Sequence, residues 1–223
     1  MISPGGLVAT LFKAKSAVTV WLATFNKAVS TYIRSAGGAP AQAAYTIEFW
    51  YMPATVAAND IVFDTVAYYS PRLIWSTNTV LTFYVIYIGA PIVNMSTSPA
   101  TGVWSHIAIV KSSNNANGVT VYLNGQSVGT GTVPGNAATS DAFIGVSYGL
   151  GSGASGKISN FRIVDGTAVY TGNFAVPVPP LTAISGTTLL ALTTSSITKD
   201  SSANNRTLTT SATPPVGSST VFG

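Results

Sequence analysis

Apolar and polar residues alternate along most of this chain in short runs with a period of two. In "YTIEFWY" Tyr45, Ile47, Phe49 and Tyr51 share one face of an extended strand, and Thr46 and Glu48 take the other. "VTVYLNGQSVGT" (119–130) carries two alternating arms joined by Asn124-Gly125, a dipeptide suited to a two-residue type I′ turn. "AVSTYIRS" (28–35), "WSHIAIVK" (104–111), "FIGV" (143–146), "KISNFRIV" (157–164), "TLLAL" (188–192) and "RTLTT" (206–210) predict further strands, set between clusters of Gly, Pro, Asn and Ser. "TVLTFYVIYI" (79–88) is apolar on both faces and reads as a central strand covered on each side.

Helical periodicity persists nowhere. Residues 7–29 come closest, but Val18, Thr19 and Val20 are β-branched and capping residues are missing. Many short strands joined by loops predict an all-β fold of two packed antiparallel sheets. Residues 25–212 are expected to form this domain and 213–223 a C-terminal tail. Residues 1–24 precede the first clear strand and carry Leu7, Leu11, Phe12 and Trp21. So apolar a segment must bury those side chains, and it is expected to be an arm used in assembly.

Composition narrows the function. Of 223 residues 47% are hydrophobic and only 7% charged, so Ser, Thr, Asn and Gly supply the surface polarity. The net charge of +4 comes from scattered basic residues. Nucleic-acid binding calls for clustered cations, because affinity grows with the number of phosphates neutralised. That class is set aside. With no cysteine there is neither a disulfide framework nor a thiolate metal site. Lys13 and Lys15 interrupt the longest apolar stretch, so no membrane insertion is expected, and no basic residue precedes it as in a signal peptide.

Catalytic constellations are not found either. The single histidine, His106, lies inside a strand pattern and reads as structural. The six acids, Glu48, Asp60, Asp64, Asp141, Asp165 and Asp200, show no motif that would pair two across a glycosidic bond. Asp60 and Asp165 read as turn-forming residues rather than metal ligands. No enzyme, metal or cofactor is expected. Tyr68, Tyr69 and Tyr148 stand in loop-like surroundings and are the candidates for a sugar-stacking platform, with rim loops near 53–60, 68–72, 89–102 and 147–155. In "KISNFRIV" apolar residues fall on both faces, which predicts a bulge or burial on both sides. Arg162 then needs a carboxylate: Asp165 is near in sequence but points to the other face, and Glu48 or Asp64 on a neighbouring strand can equally supply it.

Taken in order, "YTIEFWYMP", "WSHIAIVK", "VTVYLNGQSVGT", "FIGVS" and "GKISNFRIVDGTAVYTGNF" resemble the laminin G-like, concanavalin A-like jelly-roll family. With "TKDSSANNRTLTT" they are similar to a variant common in bacteriophage virion proteins, over about residues 28–210. The resemblance implies a non-enzymatic two-sheet jelly roll used for adhesion or assembly. It implies a virion structural protein on the particle exterior: a capsid decoration or cement protein, or another head or tail accessory. Its partners would be the major capsid protein or tail and fibre proteins, and further copies of itself as a homo-oligomer. The alternative is a carbohydrate-binding module that recognises host surface glycans, or a secreted lectin-like protein. The acidic loop residues of calcium-binding relatives are missing here.

Overall fold

The computed structural model describes residues 18–67, 69–85, 88 and 90–222. Fifteen strands are described: β1 Val18–Phe25, β2 Ile33–Ser35, β3 Tyr45–Thr55, β4 Ile61–Thr65, β5 Pro71–Trp75, β6 Leu81–Val85, β7 Pro91–Asn94, β8 Ser105–Lys111, β9 Val119–Leu123, β10 Gln126–Gly131, β11 Ala142–Ile144, β12 Ser155–Asp165, β13 Thr187–Ala191, β14 Leu208–Thr210 and β15 Val216–Phe222. A single short 3-10 turn, Lys27–Val29, joins β1 to the segment before β2. Among the described residues no helix is long and apolar enough to cross a membrane.

The strands form two antiparallel sheets. The first runs β10-β9-β8-β3-β12-β1-β15, with β13 also on β12; the second runs β14-β2-β11-β4-β5-β6-β7. Their inner faces meet in one core holding Phe49, Tyr51, Phe63, Trp75, Phe83 and Phe161, all buried. Phe161 stacks on Phe49 with ring centres 5.2 Å apart and leans on Phe63 at 5.3 Å. The alternation in β3 holds, with Tyr45, Ile47, Phe49 and Tyr51 in the core and Thr46 and Glu48 on the outer face. The hairpin is as expected too. Asn124 (φ 50°) and Gly125 (φ 77°) both take the left-handed conformation of a type I′ turn. Gly125 has a second reason: a Cβ there would lie 2.0 Å from the carbonyl oxygen of Phe174.

In β12 the expected bulge is present. Asn160 sits at φ 52° and the register against β3 shifts between Ser159 and Arg162. Because of that extra residue Ile158, Phe161 and Ile163 all enter the core, although their spacing breaks the period of two.

Three expectations are corrected. Residues 18–24 do not belong to an arm: β1 pairs with β12 on one side and β15 on the other, and buries Val20, Leu22 and Ala23. Trp21 is therefore a half-buried strand residue whose carbonyl accepts the Ser159 hydroxyl at 2.6 Å, while Leu7, Leu11 and Phe12 lie outside the described residues. The expected tail, 213–223, contributes β15 as the edge of the first sheet. Finally, β6 is not a central strand covered on both faces. It lies next to the edge strand β7, and Tyr84 on its outer face is half-buried.

Candidate functional site

The outer face of the first sheet is closed by the chain between β12 and β13. Glu48 is its anchor. One carboxylate oxygen accepts Arg162 Nε at 2.9 Å and Nη2 at 2.5 Å; the other accepts the Tyr170 hydroxyl at 2.8 Å and faces His106 Nε2 at 3.1 Å. Arg162 also donates from Nη1 to the Thr182 carbonyl at 2.7 Å. Glu48 and His106 are fully buried. Burial pushes the Glu48 carboxyl up, but the His106 hydrogen bond and the Arg162 and His106 charges outweigh it and hold the group below the usual carboxylate range. Four contacts from three residues and no free approach make this a fixing for the covering segment, not a catalytic pair. His106, as expected, is structural: it packs edge-on to Trp50 and Phe174.

The remaining acids are engaged as well. Asp60 accepts Lys27 Nζ at 2.8 Å and the Ala57 amide, and Asp165 accepts the amides of Ala41 and Gln42. Asp200 accepts the amides of Leu190, Ser202 and Arg206. Among the described residues no group of three or more His, Asp or Glu side chains could hold a metal ion.

The second sheet presents a different outer face. Register places Arg34 of β2 beside Phe143 of β11, and Phe143 beside Asp64 of β4. Arg72 of β5 grips Asp64 through two bonds of 2.9 Å and stands opposite Tyr84 of β6. One row, Arg34–Phe143–Asp64–Arg72–Tyr84, thus crosses five strands, a span of about 19 Å at the usual strand spacing. The Arg34 guanidinium lies over the Phe143 ring at 5.7 Å and pairs with Asp141, and Tyr32 tilts against the same ring at 6.2 Å. Asp64 is fully buried. Desolvation raises its pKa, offset only in part by Arg72 and by the amides of Tyr148 and Thr65. Asp141 shifts the other way, because the Gly37 amide and Arg34 outweigh its desolvation.

The tyrosines named from sequence do not converge. Tyr148 is 47% exposed, and its amide donates to Asp64 at 3.0 Å, which folds the loop after β11 over one border of this row. Tyr69 leaves the sheet at the opposite end of β4, in the β4–β5 turn, half-buried against the core. A Cβ on Gly135 would come within 2.4 Å of its ring. Tyr68 lies outside the described residues. The expected rim loops also divide: residues 53–60 and 147–155 lie at one end of the sandwich, residues 69 and 70 at the other. Sequence reasoning missed Arg34, Phe143, Arg72 and Tyr84. A signal existed in "YIRS" and "PRLIW", where a cation alternates with core residues, but their alignment depends on sheet order.

Comparison with known proteins supports the architecture. The structure superposes on a candidate carbohydrate-binding protein from Bacteroides ovatus with a TM-score of 0.64 at 16% identity, covering 89% of this chain and 59% of that one. It is also similar to the heptameric SAP-like pentraxin of Limulus polyphemus (TM-score 0.49, 18% identity, 65% and 75% covered). A third likeness is to domains LG4-5 of the mouse laminin α1 chain (0.47, 15%, 73% and 48%). The chain thus spans 59% of the length of the Bacteroides protein, and at 16% identity that likeness speaks for the fold alone. No curated protein matches the sequence. The family profile matches residues 26–169, most of the sandwich, and the chain belongs to the concanavalin A-like lectin/glucanases superfamily.

Proposed function

We propose that this protein is a non-catalytic carbohydrate-binding module that lays a saccharide across the outer face of its second sheet. The observation that carries the reading is the transverse row Arg34–Phe143–Asp64–Arg72–Tyr84. Phe143 is buried beneath Arg34, so the half-buried Tyr84 supplies the aromatic surface for the apolar face of a sugar, and the arginines offer rigid forks of donors to hydroxyls. Each arginine is held by an aspartate, so the donors are oriented before a ligand arrives and the face carries little net charge. A neutral glycan fits that balance. The designation of the Bacteroides ovatus protein as a candidate carbohydrate-binding protein is in line with this reading.

A glycan array followed by calorimetry on the best hit tests it. Tyr84→Ala and Arg34→Ala are both expected to weaken binding at least fivefold while the thermal midpoint moves little, because both side chains are partly exposed. Unchanged affinity in both variants refutes the assignment of this face. A structural role on the exterior of a bacteriophage particle is a second reading, favoured by the 7% charge content and the apolar residues before Val18. A chain shortened by residues 1–17 should then lose its place on particles, and full occupancy would overturn that reading.

A further inference from the structure

The segment that closes the first sheet leaves one part of it uncovered. Tyr170 and Phe174 stack face to face with ring centres 3.5 Å apart and an interplanar angle of 6°. Tyr122 of β9 meets both edge-on, at 6.5 Å and 5.3 Å. Beyond this aromatic group lies a cavity of about 230 Å3, lined by Val110, Ser112, Thr120, Tyr122, Tyr170 and Thr171. It is on the opposite sheet from the row described above.

From this cavity we infer a second saccharide site, which takes a single neutral pyranose ring. The inference rests on the carbohydrate-binding reading but not on the face assigned there. Size comes first: the volume is below the roughly 300 Å3 at which pockets for drug-sized ligands begin, so one ring fits and a chain does not. The walls come next. Tyr170 and Tyr122 present aromatic surface, and the Tyr170 hydroxyl is tied to Glu48 at 2.8 Å, so this wall is held in place before binding. The polar groups are hydroxyls. Among the described residues the side chains of Thr120 and Thr171 make no hydrogen bond, and neither does the Tyr122 hydroxyl. Ser112 uses one bond, to the Gly118 carbonyl. Three hydroxyls that can both donate and accept suit a ring bearing hydroxyls of its own. No charged side chain lines the cavity: Lys111 is turned inward and buried, and Glu48 and Arg162 are saturated behind Tyr170. A phosphate or carboxylate ligand would find no counter-charge here.

The test is a titration of the isotope-labelled chain, followed by NMR, with free glucose, galactose, mannose and N-acetylglucosamine and with their methyl glycosides. Resonances of Thr120, Tyr122 and Thr171 are expected to shift saturably with at least one sugar. A methyl glycoside acting alone would indicate a chain-terminal residue, and the unsubstituted sugar acting alone a free monosaccharide. Thr171→Trp fills the cavity from an exposed position and should abolish these shifts. Thr120→Val keeps the shape and should weaken them at least threefold. Shifts confined to Arg34, Tyr84 and Tyr148 refute the cavity and leave the proposed face standing. Shifts at Thr120, Tyr122 and Thr171 alone support the cavity and count against that face. Shifts in neither region refute the cavity, while the array result decides the face independently.

Discussion

Replacing Arg162 by alanine isolates what the buried ion network does. The substitution removes two bonds to Glu48, at 2.9 Å and 2.5 Å, and one to the Thr182 carbonyl, at 2.7 Å. Glu48 remains fully buried with only Tyr170 and His106 facing it. Breaking a buried pair from one side costs about 3–5 kcal/mol, since the surviving charge is left uncompensated. For a domain of this size each kcal/mol moves the thermal midpoint by about 2–4 °C, so a fall on the order of 10 °C is expected. Urea titration followed by Trp fluorescence, with the slope checked against wild type, reads the loss as a free energy. The double variant Glu48→Leu/Arg162→Met should recover most of it, because a well-packed apolar pair of similar size replaces the ionic one at little net cost. Glycan affinity at the second-sheet face should not change, as neither residue touches it. A loss under about 1 kcal/mol, or binding lost at the second-sheet face at full stability, would refute the view that this cluster is a fixing rather than a site.

Acid should expose the same network. The Glu48 carboxyl is held below its unfolded value, so its contribution is present above about pH 4.3 and is lost as pH falls through the lower folded value. Asp64 shifts upward and acts with the opposite sign: folding takes up its proton first, which offsets part of that loss. Glu48→Gln should therefore flatten the acid limb of stability between about pH 3 and 5, and an unaltered limb would speak against it. Asn160→Ala should cost about 2–4 kcal/mol by urea titration, combining left-handed strain with the loss of a buried bond from the Leu181 amide at 2.7 Å. Deleting residues 18–25 removes β1 with buried Val20, Leu22, Ala23 and Phe25, and circular dichroism should show no cooperative unfolding; a cooperative transition would contradict the placement of β1.

What could be read from the sequence was set by local chemistry. The alternation of β3 and the Asn124-Gly125 turn are decided within a few residues, and both are found. The bulge in β12 was legible because two-sided apolar spacing has few other solutions. Glu48 as the partner of Arg162 was one of three options, and the shifted register across the bulge selects it by placing the two opposite each other. β1 and β15 were missed for a different reason. "VGSSTVF" has little apolar content, and β15 becomes a strand because β1 offers it an edge. Tyr69 misled for lack of a distant fact: its turn suggests exposure, but Gly135 on another loop makes a slot for the ring. The row on the second sheet brings together residues from 34 to 143, and only strand order could align them.

The pairing of β1 with β15 has a mechanical consequence. Val18 stands opposite Phe222, so the chain enters and leaves the first sheet at neighbouring points. A force pulling on those two points loads the ladder one bond at a time, from Val18–Phe222 towards Thr24–Val216, as a zip is opened. A force entering through one end and leaving through the opposite face instead loads the whole sandwich at once. Loaded across the sandwich this domain resists tension; stretched between Val18 and Phe222, it opens from the edge.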